Sequence, residues 1–194
     1  SVALGSAIGL PDEDLVALHR GGYLHDIGKV AVPDEILFKR GQLTDEEWVV
    51  MRGHTLAGEA ICRPMKSLAL VLPIIRNHHE RWDGTGYPDG LAGEDIPLLA
   101  RVLQLADIYD ALTSHRSYKE AYTPEKALEV LMEEARLGWR DPELVTVFRE
   151  VIHQPESLSL NPQWLDAPEE DPAEAAGLAA MRASLNRMSQ ELLR

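Results

Sequence analysis

The chain has 194 residues, 45% of them apolar, which suits one globular domain with a small appendage, and its single cysteine, Cys62, excludes an internal disulfide framework. Its 19 basic and 32 acidic residues give a net charge of −13, which argues against a surface that captures long nucleic acid through counterion release. Because the sequence has neither a run of about 18 apolar residues nor a signal-like start, we expect a cytoplasmic chain without membrane contact in this segment.

The first part of the chain predicts two helices. It starts without Met in what reads as the middle of a helix, so we expect upstream residues to be missing. A second helix begins at Asp12 and carries an apolar stripe to His25 and Asp26. Gly28 is predicted to stop this helix.

The middle of the chain predicts helices separated by loops. A capping box at residues 44–47 starts a helix that carries His54. Apolar residues between 68 and 75 predict a helix that runs into the pair His78-His79. The stretch 83–95 contains four glycines, which predicts a loop.

Three further helices are predicted before residue 154. Pro97 suits a first helical position, and the helix that follows is expected to reach Ser114. Two more helices begin where a capping residue precedes proline, at 123–124 and 141–142. The last of them is expected to end near His153.

The predicted fold class is all-α, with one domain over residues 1–153. Four prolines and a cluster of acids predict a linker over residues 154–172. Residues 173–194 predict an amphipathic helix, which would pack on the bundle or on a second copy in a homodimer.

Six side chains suited to metal binding recur along the predicted helices: His25, Asp26, His54, His78, His79 and Asp107. Each has an ordinary alternative, since adjacent polar pairs are common at helix ends and a lone histidine is more often a surface or satisfied core residue. Cations that activate water need neutral imidazoles and ionised carboxylates from several helices. The joint occurrence of four of the seven histidines with two carboxylates favours a hydrolase site. The other histidines, His19, His115 and His153, are expected to be structural or surface residues.

Asp107 and Lys29 have the most informative surroundings. Asp107 lies in a very apolar helix, where an ionised carboxylate costs several kcal/mol unless it is paired or binds a cation. The alternative is a structural Asp107 that pairs with Arg101 or caps a neighbouring helix. Lys29 could reach over a substrate and stabilise charge on a phosphoryl group, or could merely complement the helix dipole.

These residues stand in motifs that resemble the HD-GYP family, a subgroup of the HD superfamily of bacterial metal-dependent phosphohydrolases. The motifs are HDIGK at 25–29, His54, HHERWDGTGYP at 78–88 and ADIYDALT at 106–113. Several separate motifs in the right order make the resemblance specific, and it covers residues 1–153. It implies an HD-type helical bundle with two or three divalent metals, iron or manganese, between its helices. The implied activity is hydrolysis of cyclic di-GMP to pGpG and onward to GMP.

The resemblance also assigns roles to individual residues. It implies metal ligation by all six side chains named above, with Asp26 as the bridge between metals and Lys29 as a catalytic contact to the scissile phosphate. It implies substrate contacts by Gly86, Tyr87, Pro88, Arg116 and Lys119. Family members carry further ligands upstream of the first motif, and His19 stands in the wrong place to supply one. We therefore expect those ligands to precede Ser1.

Two other functions remain open at this point. The chain could be a weak or inactive module that binds cyclic di-GMP or a signalling partner such as a diguanylate cyclase. It could also be an HD-superfamily nucleotidase that acts on other nucleotides, which the Gly-Tyr-Pro loop and His78-His79 disfavour.

Overall fold

The structure, a computed structural model, describes residues 1–115 and 121–154, and over these ranges it is all-α, as predicted. Nine α-helices in the described ranges are joined by turns and by 3₁₀ segments at Ile27–Ala31, Lys66–Leu68 and Gly93–Asp95. The helices are α1 Val2–Ala7, α2 Asp12–Leu24, α3 Asp34–Leu37, α4 Asp45–Arg52, α5 His54–Cys62, α6 Leu72–Asn77, α7 Leu98–Thr113, α8 Pro124–Arg136 and α9 Pro142–His153. None of the helices in the described part of the chain combines the length and apolar character needed to cross a bilayer.

Side-chain caps fix the starts of three helices where the sequence predicts them. The Thr44 hydroxyl accepts the backbone N–H of Glu47, whose carboxylate accepts the backbone N–H of Thr44, so the capping box of α4 is complete. Thr123 caps α8, and Asp141 caps α9 through two backbone N–H groups. These caps satisfy donors that have no partner within the helix.

The core is a bundle around α7. This helix packs against α2, α6, α8 and α9, while α5 packs on α6 and on the 3₁₀ segment 27–31. The largest fully buried apolar side chains are Leu4, Leu18, Ile74, Ile75, Leu105 and Leu131. Burying each of them contributes about 1.5–3 kcal/mol, which holds the helix ends that carry polar side chains in fixed positions.

Helix boundaries differ from the prediction in the middle of the chain. The predicted helix through His54 is two helices, because α4 ends at Arg52 and His54 begins α5 after Gly53. The predicted helix over 68–75 is shorter and begins at Leu72, because Pro73 lacks a backbone N–H and restricts the preceding residues. Pro97 is the N-cap of α7 rather than its first residue.

Gly28 has a different role from the predicted one. Helix α2 already ends at Leu24, with His25 as its C-cap, and Gly28 lies in the following 3₁₀ segment. A Cβ on Gly28 would collide with the backbone of His54 and Gly58 in α5. Glycine is therefore needed here because two backbone segments approach closely.

Parts of the prediction lie outside the described residues. They are the linker from residue 155 to 172, the helix at 173–194, and the side chains of Arg116 and Lys119.

Candidate metal centre

All six side chains proposed as ligands converge between the helices. His25 and Asp26 follow α2, His54 begins α5, His78 and His79 follow α6, and Asp107 lies in α7. One ligand atom from each of Asp26, His54, His78 and His79 lies within 4.8 Å of the other three. The chain thus supplies imidazole and carboxylate donors from four directions, which is the donor set that divalent transition metals bind.

Asp26 and Asp107 join His25 to this cluster. His25 Nε2 is 3.4 Å from Asp26 Oδ2 and 3.6 Å from Asp107 Oδ1. His54 Nε2 is 3.5 Å from the other oxygen of Asp26. Each oxygen of Asp26 therefore has an imidazole nitrogen within 3.5 Å.

Backbone carbonyls fix the tautomers of three histidines. The acceptors are Gly22 O for His25 Nδ1 at 3.0 Å, Met51 O for His54 Nδ1 at 2.7 Å and Ile75 O for His78 Nδ1 at 2.9 Å. Because a carbonyl can only accept, each Nδ1 donates a proton, and in the neutral form of each ring the lone pair is on Nε2. Metal-ligating histidines are commonly oriented in this way.

The buried polar atoms of the cluster fit a metal. Asp26 Oδ1, His54 Nε2 and His78 Nε2 are buried, and none has a hydrogen-bond partner among the described residues. Leaving such atoms without a partner costs roughly 1–3 kcal/mol each. A divalent cation would satisfy all three atoms at once, so the residues present fit a metal site.

The pKa values of the histidines divide them into two groups. Burial, together with the nearby histidines, lowers the pKa of His78 to about 4 and that of His79 to about 2, which keeps both rings neutral and able to bind metal. Burial also lowers the pKa of His25, but hydrogen bonds to Asp107 and Asp26 outweigh it and raise the pKa to about 10. A cation must therefore displace a proton from His25.

Lys29 and Asp107 are both partly exposed. Lys29 Nζ is 2.6 Å from Asp26 Oδ2, and the Lys29 side chain is 40% exposed. Asp107 is 35% exposed, so it is less buried than its apolar helix predicts. The alternative pairing with Arg101 is wrong, because Arg101 bonds to Asp141 at 2.8 Å.

The Gly-Tyr-Pro loop lies against the cluster. The Tyr87 ring stacks on His79 with centroids 4.9 Å apart, and a Cβ on Gly86 would collide with backbone atoms of the Glu80-Arg81 segment. Gly86 and Tyr87 line a pocket of about 210 Å³ that His78, His79 and Asp107 also line. Pro88 is not among the residues that line this pocket.

Glu80 and Gln104, which the sequence analysis did not single out, hold this arrangement together. Glu80 is fully buried, and its carboxylate accepts the backbone N–H groups of Asp89 at 2.7 Å and Leu91 at 3.1 Å. Gln104 donates its amide to the carbonyls of His78 and Glu80. The position of Glu80 directly after the histidine pair is the sequence feature that could have indicated its importance. Its hydrogen-bond partners could not be predicted, because they depend on the conformation of the loop.

The remaining histidines lie apart from the cluster. His19 packs edge to face on Tyr23 with centroids 5.3 Å apart. His115 and His153 are exposed.

Comparison with known proteins identifies one family profile and several phosphodiesterases of similar sequence. A family profile described as an HD domain matches residues 2–144. A cyclic di-GMP phosphodiesterase of Vibrio cholerae is 44% identical over 138 residues, 68% of this chain and 28% of that protein. A cyclic di-GMP phosphodiesterase of Pseudomonas aeruginosa is 43% identical over 154 residues, which cover 78% of this chain and 36% of that protein. A 3′3′-cGAMP-specific phosphodiesterase of Vibrio cholerae is 39% identical over 149 residues, which cover 76% of this chain and 28% of that protein.

This chain therefore spans about a third of the length of these relatives. Among solved structures, an HDG"Y"P protein from Bdellovibrio bacteriovorus matches with a TM-score of 0.62 at 24% identity, covering 78% of this chain and 48% of that one. At that identity the match shows a shared fold alone. The family profile covers more than half of the chain, which therefore belongs to the HD domain family, and its motifs resemble those of the HD-GYP group.

Proposed function

We propose that this chain is a metal-dependent phosphodiesterase that hydrolyses cyclic di-GMP to linear pGpG and onward to GMP. The observation that carries the proposal is that the buried Nε2 atoms of His54 and His78 have no hydrogen-bond partner in the described part of the chain and lie close to Asp26, which contacts the Lys29 ammonium group. The relatives named as cyclic di-GMP phosphodiesterases at 43–44% identity support the choice of substrate.

The proposed metal ligands are the six side chains described above, with Asp26 shared between cations. Iron or manganese is the proposed metal, because imidazole and carboxylate together suit both. When bound, the metal ions supply Lewis acidity toward the phosphoryl oxygens and make water a better nucleophile. Two or three ions are expected from the resemblance to the HD-GYP family.

The protein side chains position the phosphodiester and stabilise its charge. Attack by water forms a new P–O bond while the bond from phosphorus to the ribose 3′ oxygen breaks, which opens the ring. We assign to Lys29 the stabilisation of the negative charge that builds on the non-bridging oxygens. Gly86, Tyr87 and Pro88 are assigned to the wall of the substrate groove, and Arg116 and Lys119 to phosphate or guanine contacts.

The direct test is release of pGpG from cyclic di-GMP after the chain is loaded with Mn²⁺ or Fe²⁺. We expect turnover by the wild type, and loss of both turnover and most bound metal in Asp26→Asn and His54→Ala. The matched control is His115→Gln, an exposed histidine away from the cluster, which should keep both properties. A metal-loaded wild type that binds cyclic di-GMP without cleaving it would instead make the chain a binding module.

A second candidate substrate is 3′3′-cGAMP. The relative named as specific for this dinucleotide is 39% identical over 76% of the chain, close to the identity of the cyclic di-GMP enzymes. Competition between the two dinucleotides in one reaction decides between them, since the ratio of kcat/KM values is read directly from the two products.

A further inference from the structure

Two arginines line the pocket beside the metal centre without an acidic partner. The guanidinium carbon of Arg52 lies 5.2 Å from the Tyr87 ring centroid and 5.9 Å from that of Trp48. That of Arg81 lies 4.3 Å from the centroid of Trp139. Within the described residues, neither guanidinium makes an ion pair or a hydrogen bond, although both line the pocket.

Two other arginines are neutralised by carboxylates within the protein. Arg140, which lines the same pocket, donates to Glu134 at 2.7 Å. Arg76 donates to Glu59 and Asp89, each at 2.6 Å. In a chain of net charge −13, carboxylates are plentiful, and Asp83 lies close enough to Arg81 for their charges to interact. Two guanidinium groups held on aromatic faces, with no carboxylate at ion-pair distance in the described residues, nevertheless point to an external anion.

The geometry also limits what that anion is. The Tyr87 ring contacts the Arg52 guanidinium group and stacks on His79. The charges of both arginines and of Asp26 and Asp107 act on the Tyr87 hydroxyl group. The two arginines thus line one pocket with three of the six candidate ligands, His78, His79 and Asp107. A single molecule in this pocket can therefore contact both the arginines and the candidate ligands.

We propose that Arg52 and Arg81 bind the phosphate of the cyclic dinucleotide that is not being cleaved. This inference rests on the proposed function. A cyclic dinucleotide carries two phosphodiesters, and while the metal centre and Lys29 hold the scissile one, the other needs positive charge elsewhere in the pocket. Planar guanidinium groups suit phosphate because they can donate two parallel hydrogen bonds.

The test uses Arg52→Gln, Arg81→Gln and the double variant of the metal-loaded chain. Each single variant should raise the KM for cyclic di-GMP roughly tenfold, and weaken its equilibrium binding in calorimetry by the same factor, because a charge-assisted contact is lost. The value of kcat and the metal content should stay close to those of the wild type. Arg52→Lys and Arg81→Lys keep the charge and should recover part of the affinity. Arg136→Gln is the control, since Arg136 is exposed and pairs with Glu133.

The outcomes separate this inference from the proposed function. If the wild type hydrolyses cyclic di-GMP and the glutamine variants keep its KM and affinity, the arginine subsite is wrong and the enzyme assignment stands. A fall in kcat at unchanged KM also overturns the subsite. If the glutamine variants unfold, the lysine variants carry the test, because wild-type KM and affinity in both lysine variants refute a bidentate contact. A wild type that neither binds nor hydrolyses the dinucleotide overturns both.

Discussion

Lys29 is the site residue whose role is easiest to separate from metal binding. Its ammonium group contacts Asp26 from the exposed side of the cluster, while imidazoles contact Asp26 from within. Lys29→Ala should therefore leave the metal content unchanged and lower kcat by about 10²-fold, the size of effect seen when one donor to a developing oxyanion is removed. Elemental analysis and steady-state kinetics on the same preparation provide the measurement.

The control for this change is Lys39→Ala. Lys39 forms an ion pair with Glu47 and supports the start of α4, away from the pocket. This variant should keep kcat. Loss of most of the bound metal in Lys29→Ala would show that the lysine serves the cluster itself and not the substrate.

Glu80 is expected to matter through the loop that it anchors. In Glu80→Gln one oxygen of the carboxylate becomes an NH₂ donor, which must face the backbone N–H of Asp89 or Leu91. We expect a loss of about 1–3 kcal/mol in the free energy of unfolding and a higher KM, because Tyr87 lies in the anchored segment. Urea denaturation and kinetics check both effects, with the exposed Glu133→Gln as the control. Unchanged stability in Glu80→Gln would mean that the loop holds its shape by other contacts.

The packing of α5 on the 3₁₀ segment 27–31 depends on the absence of a side chain at Gly28. Gly28→Ala adds a Cβ that meets the backbone of His54 and Gly58, and backbone atoms cannot rotate away as side chains can. We expect a loss of about 3 kcal/mol in stability and weaker metal binding, because Asp26 and His54 lie on the two segments that are forced apart. Urea denaturation and metal titration measure the two effects.

Gly22→Ala is the matched control for this change. Gly22 lies in α2, and a Cβ there has no atom within 4 Å. Alanine favours helix over glycine by about 1 kcal/mol, so this variant should be slightly more stable than the wild type. Equal destabilisation by both substitutions would contradict the close-approach argument.

The sequence predicts those parts of the structure that depend on local patterns. The all-α class and the starts of α4, α8 and α9 follow from periodicity and capping residues within four positions of each other, and they are confirmed. The convergence of the histidines and aspartates could be predicted because their motifs resemble those of the HD-GYP family, whose fold brings these positions together. Their role as ligands remains a prediction.

Contacts that depend on tertiary structure could not be read from the sequence. Arg101 pairs with Asp141, forty residues away, so the candidate partner of Asp107 was wrong. Glu80 reaches backbone groups nine and eleven residues further on, which no local rule specifies. Arg52 contacts the ring of Tyr87, which lies 35 residues further on and stacks on His79.

The stability of the whole molecule without metal should depend on pH through the buried histidines. His78 is 1% exposed and its pKa is about 4 in the folded protein, against about 6.5 in an unfolded chain. Between these two pH values the unfolded state binds a proton that the folded state does not, so stability is lost as the pH falls from about 6.5 to 4. This single proton contributes roughly 1.4 kcal/mol per pH unit. Burial lowers the pKa values of His79 and His54 as well, which adds to the loss.

His25 has the opposite sign but acts in a different pH window. The pKa of His25 is raised to about 10 in the folded protein. Below about pH 6.5 His25 is protonated in both the folded and the unfolded state, so it adds no pH dependence to stability there. Its contribution to stability is lost as the pH rises from about 6.5 toward 10. Urea denaturation with a chelator present should therefore show a stability maximum above pH 6.5 and a steep acid limb. His78→Gln should flatten that limb by the slope of one proton, and His115→Gln should leave it unchanged. A metal-free protein whose stability stays level from pH 6.5 to 4 would mean that the cluster is open to water, and that the lone pairs of His54 and His78 are satisfied without a cation.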